Sequence, residues 1–525
     1  MPFFQEGAAS RGSSSLDAVL VPIDWLKAAA LMPFTDAMVV QRLTGYDETD
    51  LRDLKPRYGS RLGLYHPIFS RISLLEEEDW RLYDLLMKEA AGQDRIPTAW
   101  LRKQFVADYP SVQRRIEAFH QAGFVLATDE DWQVNLEPSF QEAELYVNIT
   151  EGCNFSCPGC ATASDVIPPT QARTLDPPTL RLYLISFLRS CAEKRLARAT
   201  VKWAGGEPTL KHAFALVREG IETLRELASQ YPVEVTHTLL TNGVFLDDEK
   251  IRFLRDAGCH VSVSLWGTEP FQDAVRKPRN HQETFAVVIE RIRRLHELGL
   301  SYNVNHVVTP QNADGFSDFI TMLWDTEHPD FLGKRWERRT PIPLGIQFFR
   351  PNNGSPFGDR AYPMMERGLR RGFARIFDLI ERGIPIQSLE RMDYLDLFST
   401  IVTPCGSGFV YVAVGVDGVA PCHEGLYGLQ SNKSRIERGE NLFDIANEEY
   451  QSDRAKLFGP NIEFGDNTQR ALALHGGQGC PRLVKAENNG RLGTCASTSH
   501  LYGHIFYELL CLEALRRIKQ APSPN

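Results

Sequence analysis

The chain has 525 residues, 43% of them hydrophobic and 24% charged, a globular composition with enough apolar side chains for two to four domains. Its formal charge of -9 and pI near 5.9 give no electrostatic reason to expect nucleic acid or an anionic membrane as partner. No apolar run is long enough to cross a bilayer, and the first residues, MPFFQEGAASRGSSSLDA, lack the basic start and apolar core of a secretion signal; a cytoplasmic location is the expectation.

Residues 1–19 read as a loose tail and 20–140 as a first domain. An apolar patch, VLVPIDWLKAAALM, suggests an early helix. FSRISLL alternates like a strand, EEEDWRLYDLLMKEAAG starts acidic and stops at Gly92 like a helix, and a helical piece follows around Ala99–Ala107. Ser111 is placed to cap SVQRRIEAFHQAG, whose Val112, Ile116 and Phe119 share a face. FVLATDEDWQVNL reads as two short strands about an acidic turn, so the whole has the pattern of a winged helix. Between Arg71 and Glu144 stand 15 acidic and 8 basic residues, and the wing turn is Asp129-Glu130-Asp131. DNA binding needs concentrated positive charge; this domain is expected to dock a peptide or partner instead.

From 141 to 352 strands alternate with helix-length segments. ELYVNIT, ATVKWAGGE, EVTHTLLTNG, HVSVSLWG, YNVNHVVTP and LGIQFFR are six strands of an α/β unit, which close most simply into a partial (β/α)6 barrel with its chemistry in the loops after the strand C-termini. Linker helices are expected over 353–400. Residues 401–525 read as a separate Gly- and Cys-rich unit ending in a helix at 499–517.

The first strand runs into EGCNFSCPGC, which sets Cys153, Cys157 and Cys160 within eight residues. Thiolates are soft, strongly donating ligands. A structural zinc site would want a fourth ligand nearby and none is present, whereas three thiolates on a [4Fe–4S] cluster leave one iron open for a small molecule. The second strand ends in Gly205-Gly206-Glu207-Pro208, where consecutive glycines let backbone approach a ligand and Glu207 can accept from an ammonium.

Cys-X3-Cys-X2-Cys after a first strand, followed by GGEP after the second, resembles the radical S-adenosylmethionine (SAM) superfamily. The resemblance implies that Cys153, Cys157 and Cys160 hold a [4Fe–4S] cluster whose open iron binds SAM, with Gly205, Gly206 and Glu207 lining the SAM amino group. It also implies SAM contacts from Ser264, on VSVSLWG, and from Arg276, in FQDAVRK; an ordinary strand hydroxyl and a solvated arginine are the plainer alternatives. Asn305 shares a strand face with Asn303, and one of the two amides is expected to touch SAM or substrate. Thr241-Asn242-Gly243 is expected to serve as a turn. Gly159 stands where many members carry a larger residue beside the adenine, so that contact is missing or supplied elsewhere.

Toward the C-terminus, IVTPCGSGFVYVAVGVDGVAPCHE pairs Cys405 and Cys422 through a hairpin turning at Asp417-Gly418. It resembles the auxiliary-cluster modules of the SPASM and Twitch branches, with three residues instead of four between Gly418 and Cys422. Cys480 and Cys495 are the available completing pair, giving one auxiliary [4Fe–4S] cluster; a zinc site is the alternative. Cys191, Cys259 and Cys511 are expected to be buried as small hydrophobes, and Glu390, Asp393 and Asp396 to be solvated. The resemblance implies a 5'-deoxyadenosyl radical abstracting hydrogen from a substrate. The leading expectation is maturation of a ribosomally made peptide whose leader docks on the N-terminal domain, with flavodoxin or ferredoxin as reductant. The alternative is a dehydrogenase or rearranging enzyme acting on a sugar or amino-acid derivative.

Overall fold

A computed structural model of the protein describes residues 62–66, 71–75, 77–90, 98–121, 142–332, 341–348, 361–384 and 407–448, apart from positions 159, 161, 163, 165, 409, 427 and 428. The N-terminal part begins with an antiparallel pair, β1 (Leu62–His66) and β2 (Arg71–Leu75), of which the sequence pattern signals only the second. Three helices follow, α1 (Glu77–Ala90), α2 (Thr98–Gln104) and α3 (Tyr109–Gln121). Leu82, Tyr83, Leu86, Leu101, Val112, Ile116 and Phe119 bury together, with Tyr83 edge-on to Phe119 at 5.5 Å. Ser111 is not the cap of the third helix. That helix starts two residues earlier, because Pro110 suits a first turn and the Asp108 carbonyl accepts from the Ser111 and Val112 amides at 3.1 Å each. Arg115 pairs at the surface with Glu78 at 2.7 Å and Asp79 at 3.0 Å, which offsets the charge of one of the two arginines on this helix. The wing at 124–136 lies outside the described residues.

The six strands expected from the alternation form β3 (Glu142–Asn148), β4 (Arg198–Ala204), β5 (Glu234–Thr241), β6 (Cys259–Ser264), β7 (Tyr302–Val308) and β8 (Leu344–Phe348), parallel and in sequence order. Helices at Pro177–Glu193, Lys211–Leu227, Asp248–Asp256, Phe285–Glu297 and Phe316–Trp324 connect them. Asp176 and Asp247 cap two of these, each accepting a backbone N–H three residues on, at 2.8 and 2.9 Å.

The two sheet faces differ in chemistry, and this positions the site. One face carries Leu145, Val147, Val201, Trp203, Leu239, Val261, Val263, Val304 and Ile346, buried against the apolar stripes of the helices. Gly220 lets its helix lie directly on Trp203, for a Cβ there would sit 2.4 Å from the indole. The other face carries Thr200, Lys202, Thr236, Thr238, Ser262, Ser264, Asn303, Asn305 and Gln347, most of them half-buried. A polar inner face opposite a packed outer one suits a barrel that receives a ligand.

The hairpin β9 (Tyr411–Gly415) and β10 (Gly418–Ala420) joins the same sheet: β9 pairs in parallel with β3, so among the described residues the sheet has eight strands in the order β10-β9-β3-β4-β5-β6-β7-β8. The physical reason is the otherwise open edge of β3, whose hydrogen-bonding groups need a partner; the Glu144 amide also donates to the Val410 carbonyl at 2.7 Å. Among the described residues no helix is long and apolar enough to cross a membrane.

Candidate functional site

The loop that leaves β3 brings Cys153, Cys157 and Cys160 to the C-terminal end of the barrel strands. Cys157 is buried and the other two are half-buried. Burial pushes the Cys153 thiol well above the ordinary thiol range, and Glu207, Cys157 and Cys160 push it the same way. The three sulfurs therefore share one electrostatic neighbourhood. As a metal ligand Cys153 would have to lose its proton, which needs a cationic centre to offset burial and three converging negative charges. Among the described residues no group of three or more His, Cys, Asp or Glu side chains is gathered around a point suited to a single metal ion.

Much of the surrounding structure braces this loop. Gly205, at φ +128°, and Gly206 are also needed for the loop itself. A Cβ on Gly205 would meet the Thr150 carbonyl at 2.6 Å, and one on Gly206 would meet the Gly152 carbonyl at 2.0 Å. The Glu207 amide donates to that Gly152 carbonyl at 2.9 Å. The Glu207 carboxylate is buried and largely engaged inside the protein. Its Oε1 accepts from the Thr209 amide at 2.9 Å, from the Thr209 hydroxyl and from the Thr241 hydroxyl at 2.6 Å; its Oε2 accepts from the Asn242 amide at 2.8 Å. This knot ties the ends of β4 and β5 together. Gly243, at φ +83°, makes the turn expected of Thr241-Asn242-Gly243. The turn does more: the Asn242 side-chain amide donates to Asn154 Oδ1 at 2.7 Å and lies 3.9 Å from Cys153 Sγ.

Arg279 is a residue that the sequence motifs did not single out. Its guanidinium donates to the carbonyls of Cys153 at 3.1 Å and Ser164 at 2.6 Å, and its amide donates to the Asn154 carbonyl at 2.9 Å. No periodicity marks it, because its partners are backbone carbonyls more than a hundred residues away.

Arg276 is buried, not a solvated surface arginine. Its guanidinium lies 5.2 Å from the Phe155 ring of the cysteine loop and 4.7 Å from the Trp266 ring. Its Nε has no hydrogen-bond partner, and among the described residues no carboxylate pairs with it; Trp266 Nε1 and Gln272 Nε2 are likewise buried and unpartnered. A buried cation without a counter-charge is costly, and an acceptor-bearing, anionic group in this corner would offset that cost. Ser264 faces Asn305 across the β6–β7 pairing. Asn303 is engaged by His260 at 2.9 Å, whereas among the described residues the Asn305 amide has only Gln347 Oε1 at 3.5 Å.

Cys422 is buried at the end of the hairpin; Cys405, Cys480 and Cys495 lie outside the described residues, as do Cys511, Glu390, Asp393 and Asp396. Cys191 and Cys259 are buried as expected, and desolvation pushes each thiol up to about 12. His423, next to Cys422, stacks on Tyr146 at 5.0 Å and shares a hydrogen bond with the Tyr411 hydroxyl at 2.8 Å. Arg173 joins the cysteine loop to the hairpin, reaching Glu151 at 2.7 Å and both carboxylate oxygens of Asp417 at 2.8 Å.

Residues 147–323 match the family model of the Radical SAM superfamily. The serine-type anaerobic sulfatase-maturating enzyme of Bacteroides thetaiotaomicron is 25% identical over 173 residues, covering 33% of this chain and 40% of that protein. GTP 3',8-cyclase of Campylobacter fetus is 27% identical over 170 residues, 31% of this chain and 46% of that protein. An uncharacterised protein of Archaeoglobus fulgidus is 22% identical over 431 residues, 79% of this chain and 90% of that protein. The chain spans about two fifths of the length of the sulfatase-maturating relatives it matches. The solved structure of native anSMEcpe with bound AdoMet has 17% identity and a TM-score of 0.53 over 72% of this chain and 100% of that one, a likeness of fold.

Proposed function

Because residues 147–323 are a radical SAM catalytic domain and the chain is therefore an enzyme, we propose that it modifies a ribosomally made peptide by hydrogen abstraction, with Cys153, Cys157 and Cys160 holding the [4Fe–4S] cluster. When bound, cluster and SAM together supply a 5'-deoxyadenosyl radical able to take hydrogen from an unactivated C–H bond. The observation that carries the cofactor assignment is Arg276, a buried guanidinium set against the cysteine loop with no carboxylate among the described residues to balance it. A carboxylate on the ligand would satisfy its planar fork. Gly205 and Gly206 let the cysteine loop pack closely against the end of β4 and would line the SAM amino group, Ser264 and Asn305 would present a hydroxyl and an amide from the inner sheet face, and Glu207 keeps one lone pair of Oε2 for an ammonium.

The peptide reading is supported by the sulfatase-maturating relatives and by the acidic balance of the segment from Arg71 to Glu144, where a leader would dock on a β-edge and helix. The similarity to GTP 3',8-cyclase favours a second reading, a small-molecule substrate. We assign Cys405, Cys422, Cys480 and Cys495 to one auxiliary [4Fe–4S] cluster in a SPASM- or Twitch-like segment, which with four thiolates has no open iron. Flavodoxin or ferredoxin fits as the electron donor.

Anaerobically reconstituted protein is expected to contain about eight iron per chain, falling to about four when Cys153, Cys157 and Cys160 are all replaced by Ala. The same variant should form no 5'-deoxyadenosine from SAM. About twelve iron in the parent protein, or 5'-deoxyadenosine from the triple variant, overturns the assignment. For the substrate, co-expression with the short open reading frames flanking the coding region, followed by mass spectrometry, should give a modified peptide. Turnover of a nucleotide or sugar with every such peptide unmodified would establish the small-molecule reading instead.

A further inference from the structure

Just past the last cysteine of the triad the chain carries two hydroxyls that hydrogen-bond in series. Thr162 Oγ1 lies 3.2 Å from Cys160 Sγ and 3.1 Å from Ser164 Oγ, and the Ser164 hydroxyl donates to the Glu151 carbonyl at 3.2 Å. Ser164 is buried, and its own carbonyl accepts from Arg279 at 2.6 Å, the same guanidinium that holds the Cys153 carbonyl at 3.1 Å. The series is thus fixed against the cysteine loop from two sides.

Its direction follows from counting protons. A hydroxyl has one proton to give and can accept twice. Ser164 gives its proton to the Glu151 carbonyl, so toward Thr162 it can only accept. A Cys160 sulfur bound to iron carries no proton and can likewise only accept. Thr162 therefore has one proton and two acceptors. An anionic acceptor takes the stronger bond, roughly twice that of a neutral one, so the sulfur wins. Ser164 loses little, since its own bond to Glu151 stays.

We propose that Thr162 donates to Cys160 Sγ and thereby sets the reduction potential of the cluster at 153–160, because a hydrogen bond to a ligand sulfur favours the reduced, more negative state. Thr162 is then a positioning residue that acts through Cys160, and the inference rests on the cluster assignment above. EPR-monitored redox titration of the full-length, reconstituted protein tests it. The signal of this cluster is the one absent when Cys153, Cys157 and Cys160 are all replaced by Ala. Thr162→Val, which keeps the shape and removes the hydroxyl, should make reduction about three- to tenfold less favourable, a negative shift of about 28 to 59 mV at 59 mV per tenfold. Thr162→Ser should restore the parent value within about twofold. Ser164→Ala, which removes the competing acceptor, should leave it within the same range. Where Thr162→Val holds less iron than the parent, Thr162→Ala takes its place. An unmoved potential in Thr162→Val or no rescue by Ser would overturn the proposal. So would a positive shift of about threefold or more in Ser164→Ala, which would show the proton going to Ser164 in the loaded protein. Iron loss from both the Val and the Ala variant would make the hydroxyl a brace of the loop and overturn the tuning role. If the triple-Ala protein keeps every signal of the parent, the cluster assignment falls and the proposal with it; if one signal is lost there but its potential does not move in Thr162→Val, the proposal alone falls.

Discussion

Replacing Glu207 by Gln probes the knot beneath the cysteine loop. The carboxylate accepts three donors at Oε1 and one at Oε2, so the amide oxygen of Gln would take the Oε1 side. Its NH2 would then point at the Asn242 N–H, donor against donor, at a cost of about 1–3 kcal/mol. The three remaining bonds lose charge assistance, a further loss of roughly 1 kcal/mol each. Removing a buried charge recovers part of its desolvation penalty, leaving a net local destabilisation of about 2–4 kcal/mol. At about 1.4 kcal/mol per tenfold, the amides of Thr209 and Asn242 should exchange with solvent roughly 30 to 700 times faster in the variant. Native-state hydrogen exchange followed by mass spectrometry reads this locally, which matters because a chain of several domains has no single unfolding free energy. A change below about threefold at both amides would refute the view that Glu207 is the tie between β4 and β5.

Two further outcomes follow from the same geometry. Gly206→Ala puts a Cβ where the Gly152 carbonyl stands, 2.0 Å away, so the cysteine loop must shift; iron loading at 153–160 should fall by at least about half while the helix content by circular dichroism is kept, and full loading would show that the loop tolerates the displacement. His237 is buried, and desolvation, then Arg225, lowers its pKa from 6.5 to about 4. The unfolded chain then binds the proton first as pH falls, so the stability this residue contributes is present above about pH 6.5 and is lost between about 6.5 and 4. The loss amounts to about 3 kcal/mol at most. The melting temperature should drop across that window and drop less in a His237→Phe variant; equal slopes would exclude His237 as the cause.

The strand order and the position of the cysteine loop were legible in the sequence because both are local. Six apolar strands punctuated by helices admit few topologies, and right-handed crossovers reduce these to sequential parallel order. Cys153, Cys157 and Cys160 are close in space because they are close in the chain. The two faces of β6 and β7 were equally readable, from the alternation of Val261 and Val263 with Ser262 and Ser264, and of Asn303 and Asn305 with Val304. What the tertiary structure alone decided are contacts between residues far apart in sequence. Only packing could show that Gly205 and Gly206 serve the cysteine loop, that Arg276 is buried between Phe155 and Trp266, and that Arg279 holds carbonyls over a hundred residues away. The place of the hairpin was hidden for the same reason. Composition marks Tyr411–Gly415 as a strand, but which open edge it joins depends on the unpaired backbone of β3, and backbone hydrogen-bonding groups are the same in every sequence.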